Sequence, residues 1–208
     1  MTSRRVRAYI GLGSNVGDST ATLASAVRSL AELSGSRLRG VSRLYATEPV
    51  GVVDQPEFRN AVAALDVPAG SDPATGAIAL LTGLKGLERS YGRRERGRWG
   101  PRELDLDVLV FGRARLAIER SPEAQSLDAD TDPLAAGKLL VVPHPSAGER
   151  LFVLAPLADL APRLVPPGWG RSVESARRQR LAAEGPDAVR AIGTWDANAM
   201  DWRPVQPR

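Results

Sequence analysis

The segment RWGPRELDLDVLVFG, residues 98–112, places two acidic side chains inside an otherwise apolar run. Leu104, Leu106 and Val108 occupy alternate positions, and this period of two predicts a β-strand with one face in the core. Asp105 and Asp107 then share the opposite face, about 6–7 Å apart along the chain. Because two buried like charges are costly without cations, either a salt-bridge network or a metal site would account for the pair.

An arginine-rich loop, residues 89–102, precedes this strand and contains six arginines but a single acid, Glu95. Guanidinium groups bind phosphate oxygens bidentately, and carboxylates bind hard cations such as Mg²⁺ that keep several water ligands. A loop of this kind beside two aspartates favours a Mg²⁺–nucleotide site. We expect the loop to close as a lid over bound nucleotide, with its glycines supplying the backbone freedom.

Two other interpretations of the loop stay open, a solvated basic surface and a nucleic-acid-binding module. A nucleic-acid module needs aromatic platforms among its basic residues, and this loop offers only Tyr91 and Trp99. The two aspartates of the strand would also repel a phosphate backbone. We therefore expect small-molecule partners and no nucleic acid.

Length and composition limit the class of protein. The 208 residues, 43% hydrophobic and 25% charged with a net charge of +4, suit one domain with an appendage. The absence of cysteine excludes disulfides and thiolate metal sites, and a single histidine, His144, excludes a zinc site with several His ligands. Apolar runs stay far below the ~18 residues of a membrane span. We expect a cytoplasmic, monomeric protein with no membrane partner.

Hydrophobic periodicity predicts a mixed order of strands and helices. The predicted strands cover residues 6–12, 38–47, 59–67, 104–111 and 115–118, and the predicted helices cover about 18–35, 73–91, 150–161 and 172–184. This order favours an α+β fold over a regular βαβ array. The segment GLGSNVGDS, residues 11–19, lacks the third glycine of a dinucleotide motif and the lysine of a P-loop, since Val16 and Asp18 stand there. We interpret it as a structural turn.

Two segments lack strong periodicity. Residues 119–138, rich in Asp, Pro, Ser and Ala, are predicted to form a surface insertion. Residues 166–208 are predicted to form a C-terminal extension made of a linker, a polar helix and an irregular end. Its tryptophans, Trp169, Trp195 and Trp202, are expected to hold the extension against the domain surface.

Five segments together carry a resemblance to a known family. RWGPRELDLDVL resembles the signature of the 6-hydroxymethyl-7,8-dihydropterin pyrophosphokinases, and the other four segments agree in the same order: AYIGLGSNVGD (8–18), YATEPVGVVDQPEFRNAV (45–62), LERSYGRR (87–94) and VPHPSAGERLFVLAPLADLAP (142–162). The resemblance spans about residues 6–165, so residues 1–165 would form the pyrophosphokinase domain. It implies an α+β, ferredoxin-like sandwich with a mainly antiparallel sheet flanked by helices. The implied reaction transfers pyrophosphate from ATP to a pterin alcohol and releases AMP, a step of folate biosynthesis.

The same resemblance implies a role for individual residues. Asp105 and Asp107 would bind two Mg²⁺ ions and, with Arg93 and Arg102, form the catalytic set. The residues expected to contact ATP are Lys85, Glu88, Arg93, Arg98, Trp99, Arg102, His144 and Arg150. The residues expected to contact the pterin are Thr47, Val50, Phe58, Asn60, Asp105 and Phe152. A flat heteroaromatic ring suits stacking on phenyl rings, and an amide suits its polar edge.

Three positions depart from the family pattern. Phe58 stands where a tyrosine is common, which removes a hydroxyl but keeps the aromatic ring. Pro145 follows the histidine where a tyrosine often stands, and Lys85 replaces a frequent glutamine. These differences concern the affinity for ATP and pterin, and they leave the implied reaction unchanged.

Overall fold

The computed structural model describes residues 4–49, 54–92, 100–121 and 137–205. Within this part of the chain the elements alternate as the periodicity predicts. In chain order they are β1 (Arg5–Ser14), α1 (Ser19–Glu32), β2 (Arg37–Val41), β3 (Leu44–Thr47), β4 (Phe58–Pro68), α2 (Pro73–Ser90), β5 (Asp105–Phe111), β6 (Leu116–Glu119), β7 (Lys138–Val142), α3 (Leu151–Leu160), α4 (Val173–Glu184), β8 (Arg190–Asp196) and β9 (Asp201–Pro204). No helix of the described segments combines the length and the apolar character needed to cross a bilayer.

The main sheet is antiparallel and has the strand order β5-β1-β4-β3-β8-β9. Strand β2 pairs with a later part of β4 than β3 does. Strand β1 lies between β4 and β5, so Gly13 pairs with Asn60 on one side and with Asp105 on the other. Strands β6 and β7 form a separate two-stranded sheet. The register of β1 therefore brings the polar ends of β4 and β5 together at one end of the sheet.

Helices cover both faces of the main sheet. Helices α1 and α2 contribute Leu23, Val27 and Leu84 to a core on one face, and α3 and α4 contribute Leu154 and Val173 to a core on the other. This α+β sandwich confirms the predicted fold class. Burial on two faces also explains why β4 is apolar at almost every position instead of alternating.

The acidic and apolar part of residues 98–112 forms β5 as predicted, with one irregularity. Leu106 and Val108 face the core beneath α1 and α2. The register against β1 then shifts, because Ile10 pairs with Val108 and Tyr9 with Val110. Leu109 is left between these pairs and packs in the opposite core. A β-bulge of this kind ends the alternation after the two aspartates and leaves those aspartates on one face.

The four predicted helices are confirmed to within a few residues, and their capping residues account for where they begin. The Asp18 carboxylate accepts a hydrogen bond from the Ala21 N–H at 3.0 Å. The Asp72 carboxylate accepts from Ala74 and Thr75 at 2.9 and 3.0 Å, with Pro73 at the first helical position. These are favourable helix starts because a carboxylate satisfies exposed N–H groups of the first turn.

The segment predicted as one strand over residues 38–47 is two strands. Strands β2 and β3 both pair with β4, but Ser42 and Arg43 separate them. At this break the Ser42 hydroxyl accepts the Val62 N–H at 2.9 Å, and the Ser42 N–H donates to the Val62 carbonyl at 2.9 Å. The serine side chain thus takes the place of a backbone partner, which a hydrophobicity pattern does not reveal.

The prediction that the chain ends irregularly is wrong. Residues 190–204 form the β8–β9 hairpin, and β8 pairs with β3 to extend the main sheet. Trp202 is buried, donates its Nε1–H to the Ser42 carbonyl at 2.9 Å, and packs edge-on against Trp195 with ring centroids 4.7 Å apart. Trp169 packs against Gly148. The three tryptophans of the extension therefore contact the rest of the protein.

Most of the expected insertion, residues 122–136, lies outside the described residues. Its two ends are strand residues, since Glu119 of β6 pairs with Lys138 of β7 and the two side chains form an ion pair.

Candidate active site

Asp105 and Asp107 lie on β5, opposite two glycines of β1. Both side chains line one recess whose other walls include Asn60 of β4 and Phe152 of α3. Leu106, between the two aspartates, is fully buried in the core on the other face. The prediction that the carboxylates share a face is confirmed, and they meet residues from two other elements there.

An arginine balances one of the two carboxylates. The Arg102 guanidinium donates to the Asp105 carboxylate and forms an ion pair with it. The Asp105 side chain is 18% exposed, so this charge is partly removed from water. The salt-bridge interpretation of the sequence is therefore realised at Asp105 in the protein without ligands.

Two carboxylates are a sufficient protein contribution to a Mg²⁺ site, because Mg²⁺ usually takes its remaining oxygens from water and substrate phosphates. In the segments that the structure describes, no group of three or more His, Asp or Glu side chains forms a closed metal cage. The donor set fits Mg²⁺ held jointly by the protein and a nucleotide better than it fits a closed structural metal centre.

Asn15, at the turn after β1, connects two loops of the site. Its Oδ1 accepts the Arg102 N–H at 2.8 Å, and its own N–H donates to the Arg102 carbonyl at 3.1 Å. Its Nδ2 donates to Gln55 Oε1 at 2.9 Å and to the Pro56 carbonyl at 3.1 Å. This buried amide therefore ties the segment before β5 to the segment before β4. Sequence reasoning missed it, although an asparagine in a Gly-Ser-Asn turn after a strand was the available signal.

Lys85 and Glu88 of α2 anchor the outer edge of β5. Glu88 is 2% exposed, and its carboxylate accepts the Leu106 N–H at 2.7 Å. Lys85 Nζ donates to Glu88 at 2.8 Å and to the Leu106 carbonyl at 3.3 Å. The pair thus binds the backbone of the residue between the two aspartates. The predicted contact of both side chains with ATP stays a prediction, and the structure adds a role in strand placement.

His144 lies beside the aspartates. Its backbone N–H donates to the Leu109 carbonyl at 2.9 Å. Its ring Nδ1 accepts the Ser146 backbone N–H at 3.3 Å, so the neutral ring carries its proton on Nε2. Burial lowers the pKa of His144; the charge of Asp107, and less that of Asp105, opposes this shift, whereas Arg150 adds to it. The Arg150 guanidinium lies 5.8 Å from the Phe152 ring centroid.

A second pocket adjoins the aspartates and carries two phenyl rings. Phe58 starts β4 and Phe152 lies in the first turn of α3. Asn60 lines the same pocket, is buried, and donates its Nδ2–H to Thr47 Oγ1 at 2.9 Å. The complete lining is Gly13, Thr47, Glu48, Phe58, Asn60, Gly100, Arg102, Asp105 and Phe152.

The structure brings together five residues that the sequence assigned to substrate binding. They are Thr47, Phe58, Asn60, Asp105 and Phe152. Glu48 and Gly100 also line this pocket and were not predicted. Four other predicted site residues lie outside the described residues, together with most of the expected lid: Val50, Arg93, Arg98 and Trp99.

Fold and site together define a class of protein. It is an α+β sandwich whose antiparallel sheet carries an aromatic-walled polar pocket beside a pair of carboxylates, an arrangement suited to joining a flat ring to a charged group. The family model of 7,8-dihydro-6-hydroxymethylpterin-pyrophosphokinase (HPPK) matches residues 9–162. The chain belongs to the HPPK family.

Named relatives support the assignment over most of the chain. The 2-amino-4-hydroxy-6-hydroxymethyldihydropteridine pyrophosphokinase of Methylorubrum extorquens is 38% identical over 189 residues, which cover 89% of this chain and 98% of the relative. The enzyme of the same name from Pseudomonas aeruginosa is 39% identical over 158 residues, 76% of this chain and 82% of the relative. Both are therefore proteins of similar extent.

The fold also matches a solved structure. The crystal structure of wild-type Plasmodium falciparum HPPK-DHPS with pteroate superposes with a TM-score of 0.69 at 12% sequence identity. The match covers 98% of this chain but 48% of that one, so this chain spans about half the length of the HPPK-DHPS chain. At this identity the likeness shows the shared fold alone.

Proposed function

We propose that this protein transfers the pyrophosphoryl group of ATP to the hydroxymethyl group of 6-hydroxymethyl-7,8-dihydropterin, giving the pterin diphosphate and AMP in folate biosynthesis. One observation carries the proposal: Asp105 lines both the aromatic-walled pocket and the carboxylate recess. A ring bound in the pocket would direct its substituent toward the carboxylates. Membership of the HPPK family supports the same transferase activity.

The aromatic-walled pocket would bind the pterin. Its ring would stack between Phe58 and Phe152, as flat heteroaromatic rings do on phenyl faces. Asn60 would pair with the polar edge of the ring, and its Nδ2–H bond to Thr47 would keep the amide oriented. A buried amide of this kind discriminates well, because a ligand without a matching group leaves it unpaired.

The carboxylate recess would take the phosphates. In the free protein the Arg102 guanidinium pairs with Asp105, and on nucleotide binding it would turn to a phosphate oxygen, where bidentate bonding is available. Asp105 and Asp107 would hold two Mg²⁺ ions, which neutralise phosphate charge and make the pterin hydroxyl easier to deprotonate. The hydroxyl oxygen would release its proton to solvent and form a bond to the β-phosphorus. The bond between the β-phosphorus and the oxygen that bridges to the α-phosphorus would break, and AMP would leave with that oxygen.

The remaining predicted ATP contacts are part of the same proposal. His144, in the segment before α3, is close enough to Asp107, Arg150 and Asp105 to feel their charges, and we propose that His144 and Arg150 bind phosphate oxygens. Lys85 keeps part of its side chain exposed next to β5, where it can face a nucleotide. We further propose that the protein is a monomer and that it acts in the cytoplasm, where ATP is supplied.

The nucleic-acid hypothesis loses its support. The family match assigns the chain to enzymes named for a small pterin substrate. A carboxylate pair beside an aromatic-walled pocket also does not suit sequence-independent phosphate binding, which needs basic grooves and stacking platforms.

The direct test mixes the protein with Mg²⁺, ATP and 6-hydroxymethyl-7,8-dihydropterin and separates the nucleotides by chromatography. We expect AMP and pterin diphosphate in equal amounts, and no AMP when the pterin is left out. The Asp105→Asn variant is the matched control for a contaminating enzyme. Formation of ADP in place of AMP would contradict pyrophosphoryl transfer.

A further inference from the structure

The C-terminal hairpin is attached to the strand that leads into the aromatic-walled pocket. Strand β8 pairs with β3, and β3 ends at Thr47, which lines the pocket. At the last part of this strand, Ala46 pairs with Arg59 of β4 on one side and with Arg190 of β8 on the other. The extension therefore reaches the pocket end of the sheet.

Near Ala46, the carboxylate of Glu57, which precedes β4, forms an ion pair with Arg190 of β8 on the other side of β3. Glu57 receives the Arg190 guanidinium on Oε1 and the Arg59 guanidinium on Oε2, the latter at 3.1 Å. Hydrogen bonds from Arg59 first, and also from Arg190, hold the pKa of Glu57 below its ordinary value, so the carboxylate is charged at neutral pH. Glu57 directly precedes Phe58, one of the two phenyl rings of the pocket.

The segment before Phe58 is held on its other side as well. Asn15 binds Gln55 and Pro56 through its amide nitrogen. Residues 54–57 thus lie between two anchors, Asn15 from the end of β1 and Arg190 from the C-terminal hairpin. Without Arg190, Glu57 keeps its bond to Arg59 of the following strand but loses its tie to the C-terminal hairpin, and without Asn15 the segment loses its tie to the end of β1.

We propose that Arg190 is a positioning residue for the pterin pocket, acting through Glu57 to fix residues 54–57 and hence the Phe58 ring. The identity of the ring as a pterin rests on the proposed function. Arg190 binds Glu57 and pairs with Ala46 of β3. Neither of these two residues lines the carboxylate recess, so we expect an effect on pterin binding and not on the phosphates. This assigns the C-terminal extension a part in substrate binding.

The size of the effect follows from the exposure of the pair. The Arg190 and Glu57 side chains are 53% and 30% exposed, and exposed ion pairs contribute little because water screens them. We therefore expect loss of Arg190 to weaken pterin binding roughly two- to fivefold. Global stability should stay nearly unchanged, since the backbone pairing of β8 with β3 does not depend on this side chain.

The test compares Arg190→Gln with Arg203→Gln. Arg203 lies on β9 of the same hairpin and pairs with Asp196, so it is a matched surface ion pair far from the pocket in the sheet order. Pterin and ATP-analogue dissociation constants are measured by titration, and the melting temperature by circular dichroism. Arg190→Gln should raise the pterin constant alone, Arg190→Lys should restore most of the affinity, and Arg203→Gln should change neither constant.

A double-mutant cycle and hydrogen exchange complete the test. Arg190→Gln should have no further effect in a Glu57→Gln background, because the two side chains act as one unit. The amides of Asp54, Gln55, Glu57 and Phe58 should exchange faster in free Arg190→Gln than in wild type. Unchanged exchange, an equal shift for pterin and ATP, or an equal effect of Arg203→Gln would each overturn the proposal. Failure of the wild-type protein to bind pterin would refute the proposed function. The exchange measurement needs no ligand, so it would still test whether Arg190 holds residues 54–57 in place.

Discussion

At the scale of single residues, acidic side chains of the candidate site pair with basic side chains. Arg102 pairs with Asp105 in the free protein, and Lys85 pairs with the buried Glu88 behind the same strand. These contacts offset the cost of grouping acids at one end of a sheet. We therefore expect substitution of Asp105 or Asp107 to affect the proposed catalysis more than folding.

Asp105→Asn and Asp107→Asn should each lower kcat by at least about 100-fold, since charge stabilisation by bound metal contributes several kcal/mol and each 1.36 kcal/mol is tenfold in rate. The melting temperature should change little, because each variant relieves repulsion between the carboxylates and Asp105→Asn gives up only a partly exposed ion pair with Arg102. Steady-state kinetics and calorimetric Mg²⁺ titration with an ATP analogue measure both effects. Near-normal turnover at saturating Mg²⁺ would show that the metal assignment is wrong.

Asn60→Ala and Phe152→Ala should weaken pterin binding and leave ATP binding nearly unchanged. In Asn60→Ala the loss of the buried amide leaves Thr47 without its Nδ2–H donor and the pterin without its polar partner. We expect this to cost about 1–3 kcal/mol of pterin-binding free energy. Loss of the stacked ring costs roughly 0.5–1.5 kcal/mol beyond its buried area. Separate titrations with each ligand check the expectation, and Leu160→Ala, on the same helix as Phe152 but outside the pocket lining, controls for changes in α3. Equal losses for pterin and ATP would mean that the two pockets are wrongly divided.

At the scale of elements, side chains on a helix complete the hydrogen bonding of a strand edge. Strand β5 is an edge strand of the main sheet and pairs with β1 on one side. On its other side Glu88 and Lys85 of α2 bind the Leu106 N–H and carbonyl. Helix α2 therefore holds the backbone between the two aspartates in place, as a neighbouring strand would.

Glu88→Ala should lower the free energy of unfolding by about 1–3 kcal/mol, because it leaves the buried Leu106 N–H without its acceptor. Glu88→Gln is the matched control, since its amide oxygen can still accept this hydrogen bond. Urea unfolding followed by circular dichroism measures both variants. If alanine and glutamine have the same effect, the hydrogen bond to Leu106 is not what makes Glu88 stabilising.

At the scale of the whole molecule, arginine–carboxylate pairs connect elements across the surface. Asp66 of β4 pairs with Arg7 and Arg39, and Asp159 of α3 pairs with Arg43. Hydrogen bonds from arginine hold the pKa of Asp66, with Arg7 first, and the pKa of Glu174, with Arg177 first, below their ordinary values. The folded chain therefore favours the charged form of these acids.

The protein should lose stability in acid. A carboxylate whose pKa is lower in the folded than in the unfolded chain contributes stability above its unfolded pKa, and this contribution is lost as the pH falls through the folded pKa. For Asp66 and Glu174, with ordinary values of 3.8 and 4.5, the loss begins as the pH falls through those values. Urea unfolding at pH 7, 5, 4 and 3 measures it, and Asp66→Asn should flatten the low-pH part of the curve. Stability that is constant from pH 5 to 3 would contradict this.

Much of the fold and part of the site were predictable because the signals are local. The alternation around Asp105 and Asp107 predicted β5 and their shared face, and Pro73 predicted the start of α2. Five pocket residues followed from the family resemblance of their segments, including Phe58 and Asn60. In each case the information lies within a few neighbouring residues.

The sequence by itself determined the α+β class, the helices, the carboxylate pair and the family. Only the tertiary structure decided that the chain ends in a hairpin on β3, that Asn15 joins two loops, and that Glu88 binds β5. The partners in these contacts are separated in sequence by 18 residues, for Glu88 and Leu106, to 149 residues, for Leu44 and Gly193. Their positions depend on strand register and on which buried polar group needs a partner, and a local pattern of apolar residues carries neither kind of information.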